Sequence, residues 1–103
     1  MPLREEPALL SKIPRGATLF RDDEAGFWTW LDEHPDGYFL NVERKPRPSF
    51  LVLHQPGCPH FTMREYRRTK DYVKVCSTSR ATLEQWAADV VGGEPTLCRS
   101  CFG

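Results

Sequence analysis

Between positions 27 and 34, Phe27, Trp30, Leu31 and His34 fall at i, i+3, i+4 and i+7, the period of one helical face. Asp22 or Asp23 stands where a side-chain oxygen can cap the first turn, and Pro35 stops the run. The spacing predicts a short helix. A second stripe of Leu83, Trp86, Ala87, Val90 and Val91 follows the cap candidates Ser77–Ser79 and ends at Gly92-Gly93, which predicts a second helix with a glycine stop. Between the two stripes the pattern becomes that of strands. Asp36-Gly37 turns the chain into Tyr38–Glu43, with aromatic and branched residues in partial alternation. Phe50–His54 is a continuous apolar run, as in a strand covered on both faces. Asp71–Cys76 is the third strand candidate. Residues 44–49 make a hairpin with a basic tip, 55–60 read as loop, and the polar, basic stretch to Lys70 has no clear period. Prolines at 2, 7 and 14 punctuate the first eighteen residues. The expectation is a loosely docked tail over 1–18 and a single α+β domain over 19–103. That domain is a small three-stranded antiparallel sheet with two helices, in the order αβββα.

A chain of 103 residues has room for only a small core, and domains of this size often rely on a metal or disulfide staple. No apolar run has the length of a secretory signal or a membrane span. The chain therefore reads as cytoplasmic, where four cysteines suit metal ligation or burial better than disulfides. Cys98-Arg-Ser-Cys101 can aim two thiolates at one ion, and Cys58 and Cys76 would complete a tetrahedral set. A closed thiolate site favours structural zinc. His60, two residues after Cys58, is the substitute ligand, and His54 at a strand end is placed outside the ligand set. The competing reading makes Cys58 and Cys76 small buried apolar residues. With the zinc pin included, the expected fold is the αβββα domain held by one zinc site.

Enzymatic chemistry finds little support. A redox C-x-x-C needs its first cysteine at the start of a helix, and only Phe102 and Gly103 follow this one. Cys58 with His54 or His60 would make a nucleophile and base without a marked orienting group. The glycines match neither phosphate-cradling pattern. The chain is expected to be non-enzymatic.

Charge changes the picture. The formal net charge is zero, yet residues 1–43 carry four basic and nine acidic side chains, residues 44–80 nine and two, and residues 81–103 one and three. The basic residues of the middle third form two groups. Arg44, Lys45 and Arg47 lie at the hairpin tip, and Arg64, Arg67, Arg68, Lys70 and Lys74 are interleaved with Tyr66 and Tyr72. Arginines that contact phosphates and tyrosines that stack on bases are the chemistry of nucleic-acid binding. Pairing with the acidic first helix would instead cancel these charges. A protein partner is the second expectation, anchored on Trp28, which lies off the first apolar stripe, and on the Asp32-Glu33 end of that helix.

From Asp22 onward a series of motifs recurs in order. They are Asp-Glu-Ala-Gly-Phe-Trp-Thr-Trp-Leu, His-Pro-Asp-Gly-Tyr-Phe-Leu-Asn, Leu-Val-Leu-His, a cysteine, Tyr-Val-Lys-Val-Cys and a final C-x-x-C. Over about four fifths of the chain this order resembles a small domain of actinobacterial proteins, some of which stand beside HNH-type nucleases of modification-dependent restriction systems. The resemblance implies DNA-related work in defence or restriction. It implies no catalytic residue here, and any cleavage would belong to a partner.

Overall fold

The computed structural model describes residues 10, 12–56, 69 and 72–102, the side chains of 100 and 101 apart. In chain order the elements are β1 (Ala17–Phe20), α1 (Glu24–Glu33), β2 (Tyr38–Glu43), β3 (Leu51–His54), β4 (Tyr72–Ser77), α2 (Arg80–Trp86), β5 (Thr96–Leu97) and α3 (Arg99–Phe102), with a π-helical turn at Ala87–Val91 prolonging α2. The strands form one sheet in the order β1-β4-β2-β3-β5.

Local chemistry sets the helix ends. Asp23 caps α1, its Oδ1 accepting from the Gly26 N–H at 2.9 Å. Ser79 caps α2 in the same way through the Thr82 N–H at 3.2 Å. The π-helical turn ends at Gly92, whose φ of +90° is the left-handed conformation that glycine adopts without a Cβ penalty.

The α+β class holds, but the three-stranded antiparallel sheet does not. The three expected strands occupy the centre, with β2 antiparallel to both β3 and β4. Two further strands flank them. β1 pairs antiparallel with β4, and β5 pairs parallel with β3, which makes the sheet mixed. Sequence periodicity misses both for physical reasons. β5 is two exposed residues after Pro95, too short to show a period, and β1 is a four-residue edge strand whose burial pattern barely alternates. The parallel pairing follows from the path of the chain. After β4 the chain passes through α2 and arrives beside β3, running in the same direction as the strand it left. Nor is the described fold organised around a zinc pin. Among the described residues no group of three or more His, Cys, Asp or Glu side chains is placed to hold a metal. Within the N-terminal stretch Leu10 is buried, Ile13 packs against the same core and residue 17 belongs to β1.

Because successive strand residues point to opposite faces, the sheet has two cores. On one face Leu40, Val42, Leu51, Leu53, Val73 and Val75 meet Leu83, Trp86, Ala87 and Val91 of the second helix, with Leu10 added from the N-terminal stretch. On the other, Phe39, Cys76 and Cys98 meet Phe27 and Leu31 of α1. Burying each such large side chain contributes about 1.5–3 kcal/mol. The first helix stripe predicted from sequence is thus the buried one, whereas Trp28 points outward. Gly37 follows α1 because a Cβ there would run into the Trp30 ring.

Candidate functional site

The antiparallel register of β2 with β4 sets Glu43 opposite Tyr72. It therefore brings the β2–β3 tip and the start of β4 to one end of the sheet. Tyr72 is 44% exposed and lies against Phe50, ring centroids 5.3 Å apart and tilted by 48°. Around this pair stands the β2–β3 tip. Arg47 holds both carboxylate oxygens of Glu43, Nε to Oε1 at 2.5 Å and Nη2 to Oε2 at 3.0 Å, and Arg44 reaches Asp22 at 3.0 Å. Lys45 is exposed. Arg64, Tyr66, Arg67, Arg68 and Lys70 lie outside the described residues.

Arg44 and Arg47 both have carboxylate partners, but neither is in the first helix, since Asp22 precedes it and Glu43 lies on β2. Both arginine side chains remain well exposed, at 41% and 62%. Exposed pairs of this kind contribute about 0–1 kcal/mol, so a phosphate can displace either carboxylate at small cost.

Lys74 is a different case. It is 1% exposed and belongs to the interior, so it cannot reach a phosphate. Its Nζ donates to Asn41 Oδ1 at 2.7 Å and to the Tyr72 carbonyl at 2.8 Å, and it lies 5.8 Å from the centre of the Phe27 ring. Burial lowers its pKa to about 8. The register reveals what charge counting missed. Lys74 shares a rung with Asn41 and Phe20 on the face that α1 covers, so its side chain points inward. Strand alternation around Val73 and Val75 carries that signal.

A second feature invisible in the sequence is Thr69, which is fully buried. Its N–H and hydroxyl both donate to Glu24 Oε2, at 2.7 and 3.1 Å, while Asp22 N–H donates to its carbonyl at 3.0 Å. Its Oγ1 accepts from Asp23 N–H at 2.5 Å. The backbone N–H of Thr69 is the main reason that the Glu24 carboxyl titrates below its ordinary value.

The cysteines fall into two places. One rung of the sheet runs Thr18, Cys76, Phe39, His54. On β5, Leu97 pairs with Leu53 and the Cys98 N–H donates to the Leu53 carbonyl at 3.0 Å, which sets Cys98 next to His54. Cys76 and Cys98 are thus separated by the width of β2 and β3. Three strand spacings amount to roughly 14 Å, against about 4 Å between two thiolates sharing one zinc. The four-cysteine ligand set does not fit one ion. Burial pushes the Cys76 thiol well above its ordinary pKa, so it stays protonated in the folded protein. Cys58, His60 and the side chain of Cys101 lie outside the described residues.

Comparison of the chain with models of protein families, with curated proteins and with solved structures returns no match. Among the described residues no helix is long and apolar enough to cross a membrane.

Proposed function

We propose that this chain is a non-enzymatic nucleic-acid-binding module of the cytoplasm, with DNA as first choice, and that it uses the end of the sheet where the β2–β3 tip meets the start of β4. One observation carries the reading. The pairing of Glu43 with Tyr72 gathers Arg44, Lys45, Arg47 and the exposed Tyr72 ring, which lies against the half-buried Phe50, at one edge. An exposed ring beside weakly paired arginines supplies stacking and phosphate contact together. The likeness to domains that accompany restriction nucleases supports the choice of DNA. Arg64, Arg67, Arg68 and Lys70 precede β4 in the sequence.

The test is a titration of labelled single-stranded and duplex DNA at increasing salt. Each phosphate contact contributes a slope of about 0.7–0.9 in log K against log salt. Replacing Arg44, Lys45 and Arg47 together by Gln is expected to flatten the slope by roughly two to three contacts. No binding at low salt, or an unchanged slope in the triple variant, would overturn the reading and leave a protein-binding module anchored on Trp28.

A further inference from the structure

We propose that the groove between residues 12–15 and α2 binds a small amphipathic carboxylate, an organic acid with an apolar body, and that the indole N–H of Trp86 is one of its donors. The groove has a volume of about 390 Å³, within the range of small-molecule sites. Pro14, Trp86 and Val90 give it an apolar lining, and Lys12 and Arg15 stand on the same wall as Pro14. Both walls are held by the fold. One is the face of α2 and its π-helical turn that carries Trp86 and Val90. The other is pinned on either side of Lys12, where Leu10 and Ile13 join the core. Beyond it the Ala17 N–H closes a turn on the Pro14 carbonyl at 3.1 Å, and the Ser77 hydroxyl donates to the Gly16 carbonyl at 2.8 Å.

Two independent observations give the chemistry of the ligand. The first is Trp86 itself, which is 2% exposed and whose Nε1 is, among the described residues, the one buried side-chain nitrogen or oxygen without a hydrogen-bond partner. Buried donors are seldom left so. The ring lines the groove, so an acceptor brought by a ligand satisfies what the fold leaves open. The second is charge. Lys12 and Arg15 are exposed, and among the described residues neither pairs with a carboxylate, in contrast to Arg44, Arg47 and Arg80. Asp89, the acid in the described lining, accepts from Gln85 at 2.7 Å, which leaves two cations against one carboxylate already engaged. An indole N–H can only donate, so the ligand must accept. The unpaired cations favour an anionic acceptor, and the apolar lining favours hydrocarbon behind it. A carboxylate on an apolar body meets all three demands. The site is separate from the proposed nucleic-acid edge, since Arg44, Lys45, Arg47 and Tyr72 have no part in its lining.

The probe is octanoate, with octanol as the same chain without the charge and acetate as the charge without the chain. Each is titrated into the isotope-labelled full chain and followed by heteronuclear NMR of the indole N–H groups, with Trp28→Phe and Trp30→Phe assigning Trp86 by elimination. Octanoate is expected to bind saturably below about 1 mM and to move the Trp86 indole proton downfield, as a new hydrogen bond does. Octanol and acetate are each expected to bind about tenfold more weakly or worse. Lys12→Gln combined with Arg15→Gln is expected to weaken octanoate about tenfold. Both positions are exposed, so the folded spectrum of this variant is expected to stay that of wild type. Five results would each overturn the proposal: no saturable binding below about 1 mM, a Trp86 indole resonance that stays still while octanoate binds, equal affinity for octanol, unchanged affinity in the double variant, or movement of that resonance on dilution without octanoate, the mark of a second copy in the groove.

Discussion

The ammonium of Lys74 lies 2.7 Å from the side-chain oxygen of Asn41 on the neighbouring strand, in the layer between the sheet and α1. A lysine in that position costs the folded state when charged. Its pKa is about 8 in the fold and 10.5 ordinarily, so between those values the unfolded chain binds more protons and stability rises with pH. The cost is present in full below pH 8 and is relieved by about pH 10.5. We expect the unfolding free energy of wild type, taken relative to Lys74→Met, to rise across this window by up to about 3 kcal/mol. The Asn41 and Tyr72 acceptors that Met leaves without a donor add an offset that does not depend on pH. Urea unfolding of both proteins at a series of pH values measures the difference, and a flat difference would refute the expectation.

Cys76 works in the opposite sense. Its folded pKa lies above the ordinary value of 9.0, so the stability it contributes is complete below pH 9 and declines as the unfolded thiol ionises above it. Cys76→Val is expected to lose less stability than wild type on going from pH 8 to 10. In native protein at pH 8, alkylation followed by peptide mapping is expected to leave Cys76 unmodified, and prior unfolding in urea to expose it.

Thr69 ties the approach to β4 onto the first turn of α1, through two donated bonds to Glu24 and one accepted from Asp23. Thr69→Val removes the hydroxyl bonds and leaves buried polar groups wanting, an expected loss of about 1–3 kcal/mol in chemical denaturation at pH 7. The Glu24 carboxyl is held below its ordinary 4.5 by the Thr69 N–H. Its contribution is therefore present above pH 4.5 and lost as the pH falls through the lower folded value. Glu24→Gln is expected to flatten part of the acid limb of a melting-temperature profile between pH 5 and 3, and an unchanged limb would show that the bond carries no net stability.

At the proposed nucleic-acid edge, Tyr72 is exposed enough to be removed without harm to the core. Tyr72→Ala is expected to weaken single-stranded DNA binding by about 1–3 kcal/mol, with duplex binding and the melting temperature changed much less. Anisotropy titrations on both substrates separate this stacking role from a general loss of affinity.

Much of the centre of this fold was legible in the residues themselves. Phe27 and Leu31 at helical spacing, a cap at Asp22 or Asp23, and the apolar runs of β2, β3 and β4 follow from local geometry, because backbone period and capping chemistry act over a few residues. Trp28 could be placed on the outer side of α1 for the same reason. The edges were not legible. β5 is a strand only because the chain passes through α2 and reaches β3, and two residues carry no period of their own.

The same division runs through the functional residues. The sequence alone determined which donors and charges the chain owns and how they are spaced. Tertiary structure decided which of them meet. Lys74 reads as one more cation of a basic segment, yet strand alternation turns it under α1 onto Asn41. Cys76 reads as a partner of Cys98, yet two strands stand between them, while His54, 44 residues distant in the sequence, is the neighbour. Contacts between strands depend on pairing order and direction, which are set by the whole chain minimising exposed apolar surface and unpaired backbone groups. No window of neighbouring residues contains that information.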